Sequence, residues 1–150
     1  MKKCFSFLKK YIEKNRIENR IYGPFDIFEK EESLSDIKAC QGVYFIISKN
    51  RKFNYPIKMS PIIYIGKADN LRRRLKQHIR NYNEAKDPVK KKACWIYSRY
   101  HYMTHGGAEV YYMPVSGLEN AKSLESKVIE NFYDTYLSLP IGNGAFSFRY

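Results

Sequence analysis

Cysteine is scarce in this sequence, and no apolar run is long enough to cross a membrane. The three cysteines, at positions 4, 40 and 94, are too few and too widely spaced for a disulfide framework or a structural zinc site. The apolar run over residues 4–8 is too short for a secretion signal and is closed by Lys9 and Lys10. We therefore expect neither a secreted disulfide-rich protein nor a membrane protein, and we predict a cytoplasmic one.

Internal repeats, low-complexity tracts and interdomain linkers are also lacking, as are the signatures of P-loop, Rossmann and Ser/His/Asp enzymes. The sequence does contain 44% apolar and 16% aromatic residues, which is ample for a folded core. A chain of 150 residues is long enough for one domain with a real core and short for two. The composition predicts a single compact domain.

Positive charge is concentrated in two segments. Residues 1–20 carry seven Lys and Arg residues against two glutamates, a net charge of +5, and residues 67–92 carry ten against three acids, a net charge of +7. These two segments account for the whole formal net charge of +12. The distribution favours nucleic acid as a partner, but a solubility surface or binding to membrane headgroups would need only the same charge.

The alternation of strand-like and helix-like segments predicts the fold class. Residues 42–47 and 61–65 have the composition of buried strands and are joined by about a dozen polar residues, which indicates a hairpin with an enlarged loop. Residues 110–115 are a third predicted strand, and helices are predicted over residues 70–82, 87–100 and 119–136. We predict an α+β fold with a small three-stranded antiparallel sheet flanked by helices.

The N-terminal part is expected to add a basic amphipathic helix that ends near Gly23-Pro24. Residues 25–40 are expected to form a loop with a short helix over residues 34–39, and residues 105–107 a turn. His101, His105, Trp95 and the neighbouring tyrosines are interpreted as structural residues.

Glu125 is the most informative single residue. It falls near the middle of the apolar stripe of the last predicted helix, whereas Glu119 and Glu130 fall on the opposite side. A carboxylate that faces a core is costly unless something pairs with it. Glu125 is therefore half of a structural ion pair, a residue at the edge of the stripe whose carboxylate reaches solvent, or a metal ligand or acid/base group held on a rigid helix.

The helix over residues 70–82 supplies cations. Arg74 and His78 lie one turn apart beside its apolar face, and with Lys67 they could converge on an anionic group, since Arg suits bidentate contact with phosphate. The face that points away carries Arg72, Arg73, Lys76 and Arg80. A basic helix is also commonly a solvated surface, so the spacing alone leaves both interpretations open.

A family resemblance joins these residues. Gly42-Val43-Tyr44 followed by Tyr64-Ile65-Gly66 resembles the paired tripeptides that name the GIY-YIG nuclease family. Residues 70–75 match the family's helix pattern of a polar residue, Leu, two variable positions, Arg and an apolar residue, and His78 stands where the family usually has Tyr or His. Glu125, with its apolar pair three and four residues on, matches the family's downstream Glu. The resemblance covers about residues 34–143.

The resemblance implies a metal-dependent endonuclease and a role for each matched residue. Glu125 would be the single protein ligand of one Mg²⁺ or Mn²⁺ ion per active site, completed by water and phosphate oxygens. Tyr44 would be the general base that activates the attacking water, helped by Lys67, whose charge favours the phenolate. Tyr64 would position the water or the scissile phosphate, and Arg74 would stabilise the transition state.

His78 would orient or polarise an oxygen beside these groups. Asn143 is a weak candidate for the family's late Asn, and it could equally be a turn residue between two glycines. The nineteen residues between the two tripeptides exceed the family's compact spacing, which adds a loop over residues 50–61 that could reach DNA.

Many members of the family carry a separate DNA-binding module, for which 150 residues leave no room. We expect a basic N-terminal helical extension over residues 1–30 to serve instead, beside a nuclease domain over residues 31–150. The cations expected to contact DNA are Arg72, Arg73, Lys76, Arg80, Lys9 and Lys10.

The function expected from the resemblance is that of a DNA endonuclease, either restriction-like or of a mobile element. A structure-specific repair or recombination nuclease is an alternative, as is an inactive nucleic-acid-binding module of the same fold. The expected partner is duplex or branched DNA and not a membrane. A homodimer would let one metal centre per copy cut both strands.

Overall fold

A sheet of four antiparallel strands occupies the centre of the computed structural model, which describes residues 2–15, 21–87, 89–90, 98–115 and 119–143. In chain order these strands are β1 (Tyr22–Phe25), β2 (Gly42–Ser48), β5 (Ile62–Ala68) and β6 (Ala108–Pro114). Two short strands, β3 (Phe53–Asn54) and β4 (Met59–Ser60), pair with each other in the loop between β2 and β5. The spatial order of the large sheet is β1-β6-β2-β5.

The register of β2 positions the tyrosine of the first tripeptide. Tyr44 of β2 lies opposite Gly66 of β5 on one side and opposite Tyr112 of β6 on the other. All seven residues of β2 are buried, as expected for a β-branched and aromatic strand with a partner on both edges. Among the described strands, β5 pairs with β2 alone and forms an edge of the sheet.

Helices cover both faces of this sheet. A 3-10 helix (Lys3–Leu8) continues into α1 (Lys9–Asn15), and a second 3-10 helix spans Glu31–Asp36. The longer helices are α2 (Leu71–Lys86), α3 (Ser98–Gly106) and α4 (Ala121–Tyr136). The side-chain oxygen of Asn70 caps α2 by accepting from the Arg73 N–H at 3.0 Å, and Asn120 caps α4 in the same way.

Alternation along β2 produces two separate cores. Tyr44 and Ile46 point to a core on one face, which α2, α3 and the second 3-10 helix help to build. Val43, Phe45 and Ile47 point to a core on the other face, beneath α4 and the N-terminal helices. The active-site candidates on α2 and on α4 therefore approach the sheet from opposite sides.

The N-terminal residues are part of the second core. Phe5 and Leu8 are fully buried, and the Phe5 ring lies edge-on to Phe45 and Tyr111 with centroids 5.0 Å apart in both pairs. Edge-to-face aromatic pairs of this kind stabilise a core beyond the area they bury. Lys9 and Lys10 lie exposed on the other side of the same segment.

The predicted α+β class is confirmed, and the predicted count of three strands in the sheet is wrong. Residues 22–25, expected at the end of the N-terminal helix, form β1, and the described helix ends at Asn15. Tyr22 and Phe25 stack on Tyr112 with ring centroids 5.3 and 5.6 Å apart, so tertiary packing outweighs the helix-ending signal of Gly23-Pro24. β1 is an edge strand, and edge strands are where a sheet tolerates proline.

Other boundaries differ by small amounts. The hairpin of β2 and β5 with its enlarged loop is confirmed, and α2 extends one turn beyond the predicted end. The short helix expected over residues 34–39 is instead the 3-10 helix at residues 31–36. The turn expected at residues 105–107 is wrong because His105 and Gly106 end α3, and only Gly107 follows it, with φ of 70°. Most of the helix predicted over residues 87–100 lies outside the described residues, as does Trp95.

Candidate active site

A chain of hydrogen bonds on one face of the sheet links β2, α2 and α3. The Tyr44 hydroxyl lies 2.7 Å from Nε2 of His78, and Nδ1 of His78 lies 2.8 Å from the Tyr100 hydroxyl. Nε of Arg74 donates to the Tyr44 oxygen at 3.4 Å, and the Asn81 amide donates to the Tyr100 oxygen at 2.9 Å. These bonds are all satisfied when His78 carries its proton on Nδ1 and accepts the Tyr44 hydroxyl proton at Nε2.

Burial sets the protonation of this chain. Desolvation, together with the charges of Arg74 and Arg99, lowers the pKa of His78 to about 3, so the imidazole is neutral near pH 7. Desolvation also raises the pKa of Tyr44 well above its ordinary value, and nearby Tyr64 adds to the rise. Arg74 and Arg99 act in the opposite direction and lower the pKa of Tyr44. The resting site therefore holds a protonated tyrosine beside a neutral histidine.

Gly66 is the residue that makes room for this arrangement. A Cβ atom at this position would lie 2.6 Å from Cζ and from the hydroxyl oxygen of Tyr44, and equally close to the Tyr64 ring. Real Cβ atoms do not approach other atoms so closely, so only glycine lets the Tyr44 ring lie across β5. The close approach explains why the second tripeptide needs glycine directly opposite the tyrosine of the first.

We expect Gly66→Ala to displace the Tyr44 hydroxyl and so to impair any reaction that uses it. Overpacking a buried site costs about 1–3 kcal/mol of folding free energy, so thermal melting should show a lower Tm in a protein that still folds. The test is a double variant with Tyr44→Phe. If Gly66→Ala acts through the Tyr44 hydroxyl, the double variant is no slower in such a reaction than Tyr44→Phe alone. Full additivity of the two losses would contradict this explanation.

Glu125 reaches the same strand from the other face of the sheet. It lies half-buried on α4, and its carboxylate accepts a hydrogen bond from the backbone N–H of Lys67 on β5. Desolvation raises the pKa of Glu125, whereas the charges of Lys67 and Arg74 lower it. Glu125 thus lies near enough to the edge of β5 for the charges of Lys67 and Arg74 to act on it, although α2 and α4 pack against opposite faces.

That Lys67 helps Tyr44 stays a prediction, and the structure places the Lys67 side chain on the face of β5 opposite to Tyr44. Its exposed ammonium lies near Glu125, and the cations that lower the pKa of Tyr44 are Arg74 and Arg99. The alternation of side chains along β5 explains this, because Gly66 lies beneath Tyr44 and Lys67 faces the other side.

Asn143 covers the edge of β5 two residues before Lys67. Its side-chain oxygen accepts from the N–H of Ile65 at 3.0 Å, and its amide nitrogen donates to the Ile65 carbonyl at 2.9 Å. The N–H of Gly142 donates to the Ile63 carbonyl at 2.7 Å. Ile63, Ile65 and Lys67 therefore offer successive outward backbone groups, which Gly142, Asn143 and Glu125 bind in turn. Both polar atoms of the Asn143 side chain are therefore hydrogen-bonded to β5.

Two residues of α3 belong to this site although no sequence pattern singled them out. Tyr100 holds Nδ1 of His78, and the Arg99 guanidinium lies over the Tyr64 ring, 4.0 Å from its centroid. Tyr100 was interpreted as core, and it is buried, but its hydroxyl has a second function in fixing the histidine. The high aromatic content of residues 97–102 was the one available signal, and it does not distinguish these roles.

The remaining predicted cations are distributed over the surface. Arg73, Lys76 and Arg80 are exposed on α2, as predicted from the helical wheel. Arg72 is tied to the protein itself, since Nε donates to the Ile37 carbonyl at 2.9 Å and Nη2 to the Ser35 carbonyl at 3.2 Å. Its guanidinium holds the second 3-10 helix against α2.

The donor set at the edge of β5 suits a hard divalent cation. Within the described ranges no group of three or more His, Cys, Asp or Glu side chains is close enough to hold a metal ion, so a cage made of protein alone is absent there. Glu125 offers a half-buried carboxylate whose charged form is disfavoured by desolvation and would be stabilised by a cation. Mg²⁺ commonly uses one or two carboxylates and keeps water and phosphate oxygens as its other ligands.

Comparison with known proteins identifies the family. None of the described helices is long and apolar enough to span a membrane. No curated protein and no solved structure is significantly similar to the chain. The model of the GIY-YIG catalytic domain matches residues 40–136, which is more than half of the chain and includes every residue of the site except Asn143. The protein therefore belongs to the GIY-YIG family, whose domain is that of a nuclease.

Proposed function

We propose that this protein is a metal-dependent DNA endonuclease in which Tyr44 activates the attacking water. The observation that carries the proposal is the meeting of two groups beside β5: the Tyr44 hydroxyl with His78 and Arg74 on one face, and Glu125 with Lys67 at the edge. A base, cations for a phosphate and a carboxylate for a metal are the parts that phosphodiester hydrolysis requires.

Each residue then has a defined task. Tyr44 takes a proton from water in its phenolate form, and Arg74, which contacts the same oxygen, stabilises both the phenolate and the charge that develops on the phosphate. His78 fixes the Tyr44 hydroxyl through Nε2, and Tyr64 lines the approach with its ring centroid 5.9 Å from that of Tyr44. Tyr44 is fully buried beside the partly exposed Tyr64 and Arg74, so water has to enter the site to reach its hydroxyl.

Glu125 would hold one Mg²⁺ or Mn²⁺ ion. When bound, the metal supplies Lewis acidity to the leaving oxygen and neutralises part of the phosphate charge. Lys67 keeps the Glu125 carboxylate ionised, and its ammonium adds a contact for the phosphate on the exposed side.

The substrate we propose is duplex or branched DNA, and a homodimer would place two such sites on opposite strands. Restriction-like, mobile-element and repair or recombination nucleases share this chemistry, and an inactive binding module would share the fold. The test is incubation of the protein with plasmid and with branched DNA in Mg²⁺, with EDTA as the control and mapping of the ends. Binding without cleavage on every substrate would contradict the proposed nuclease activity.

The N-terminal segment allows a separate test of how DNA is held. Leu8 is fully buried, so Leu8→Ala should cost about 2–5 kcal/mol of folding free energy and lower the Tm. Lys9 and Lys10 are exposed, so replacing both by Gln should leave the Tm nearly unchanged. If both lysines contact phosphates, the slope of log K for DNA binding against the log of the salt concentration becomes shallower by about 0.9 for each lysine removed.

Fluorescence anisotropy at several salt concentrations, beside thermal melts, distinguishes the two effects. A salt slope that is unchanged in the lysine variant would show that Lys9 and Lys10 do not contact DNA. Deleting the whole N-terminal segment would also remove its buried aromatic residues and destabilise the core. Point variants therefore give the clearer test of DNA contact.

A further inference from the structure

The helix α3 brings a second arginine to the tyrosines of the site. The guanidinium carbon of Arg99 lies 4.0 Å from the centroid of the Tyr64 ring, which is a close cation–π contact. That ring in turn lies 5.9 Å from the Tyr44 ring and 5.8 Å from the His78 ring, measured between centroids. Arg99 is therefore the outer member of a stack that ends at the proposed base.

The backbone around Arg99 is held on both sides. The next residue, Tyr100, bonds to Nδ1 of His78. On the other side, a Cβ atom on Gly142 would lie 2.9 Å from Cβ of Arg99, so the segment that covers β5 packs directly against this residue. Arg99 is partly buried between these contacts and is not a freely moving surface cation.

The groups that face Tyr44 come from four elements. They are Tyr64 on β5, Arg74 and His78 on α2, Arg99 on α3 and Tyr112 on β6. The two arginines are the groups that lower the pKa of Tyr44, and desolvation and Tyr64 raise it. The same two arginines lower the pKa of His78, so they favour loss of the Tyr44 proton to solvent over its retention on the imidazole.

We propose that Arg99 is a positioning residue of the nuclease site, which holds the Tyr64 ring by stacking and provides a second positive charge that favours the ionised form of Tyr44. The inference rests on the proposed function for its effect on cleavage, and on the observed stack for its effect on Tyr64. A guanidinium suits this role because it is planar, stays charged in any environment and can stack on an aromatic face.

The test compares Arg99→Gln and Arg99→Lys with the parent protein across about pH 6 to 9.5. In Arg99→Gln we expect the rising limb of the plot of kcat against pH to move to higher pH. On that limb, kcat should fall about tenfold for each pH unit of displacement. The KM should stay within about threefold of the parental value. The loss should have the same factor all along the rising limb, because the raised pKa of Tyr44 lies above this pH range. Arg99→Lys keeps the charge and should leave the limb near its original pH.

Lys86→Gln is the matched control, because it removes a cation that lies 4.8 Å from the ring centroid of Tyr82, outside the site. It should leave the pH profile unchanged. A parental kcat in Arg99→Gln along the rising limb, or the same displaced limb in Arg99→Lys, would overturn the electrostatic role. Should Arg99→Gln fail to fold, Arg99→Lys decides, since a displaced limb in that variant alone contradicts the proposal.

A readout independent of cleavage separates this inference from the proposed function. With ¹³C-labelled tyrosine, the ring signals of Tyr64 should shift in Arg99→Gln and remain unchanged in Lys86→Gln. Shifted signals in a protein that cleaves no DNA would leave the stack standing and overturn the nuclease proposal. Unshifted Tyr64 signals, with an active parent protein and an unchanged pH profile, would overturn the role of Arg99 and leave the nuclease proposal standing.

Discussion

Replacing Glu125 by Gln will reduce Mg²⁺-dependent cleavage to background while DNA binding stays within a few-fold. The carboxylate is the proposed anchor of the metal, and Gln removes its charge without removing any cation that meets phosphate. The fold should survive because the Gln side-chain oxygen can still accept from the Lys67 N–H, and because desolvation already disfavours the charged form of Glu125. Cleavage of plasmid DNA, anisotropy binding in EDTA and a thermal melt measure the three expectations.

Glu130→Gln is the matched control for this variant. Glu130 lies on the same helix, α4, but it is exposed and lies on a different side of the helix from Glu125. It should cleave at the parental rate, so a loss common to both variants would point to damage to α4 and not to a missing metal ligand. Retained Mg²⁺-dependent cleavage by folded Glu125→Gln would show that Glu125 does not hold the metal.

The sequence contained most of the elements of the site because the site residues sit on strongly patterned segments. The β-branched composition of β2 and the Asn70 cap of α2 predicted where Tyr44, Arg74 and His78 lie in local structure, and the apolar stripe of α4 singled out Glu125. Local periodicity in the sequence shows which side of a helix or strand is buried, and this is enough to predict where these residues lie.

Other features depend on contacts between distant segments, which periodicity does not report. The stacking of Tyr22 on Tyr112 turned a predicted helix end into β1, and the contact of Arg99 with Tyr64 joins two segments that no motif relates. The side of β5 on which Lys67 lies follows from its register with β2, since a shift of one residue would reverse every side chain. The predicted boundary between an N-terminal extension and a nuclease domain at residue 30 stays a prediction.

Replacing Tyr44 by Phe should lower kcat by roughly 10²–10⁴, the range expected for loss of a general base. The change removes one oxygen that bonds both to His78 and to Arg74, and the ring that fills the space over Gly66 remains. Arg74→Ala should have an effect of similar size, and the double variant should lose far less than the product because the two residues act on the same oxygen. Single-turnover rates on saturating DNA measure these effects.

The stability cost of Tyr44→Phe needs its own control, because the change leaves Nε2 of buried His78 without its partner, at a cost of about 1–3 kcal/mol. Tyr100→Phe removes the bond at the other nitrogen of the same ring and should lower the Tm by a similar amount, with a much smaller loss of kcat.

The pH profile of kcat gives a second test of Tyr44 as the base. The pKa of His78 is about 3, so the histidine does not titrate between about pH 6 and 9, and a rise of kcat over that range reports ionisation of Tyr44. Tyr44→Phe should lose this rise, and a variant that cleaves at the parental rate with an unchanged profile would transfer the role of base to Tyr64, the second tyrosine beside the site.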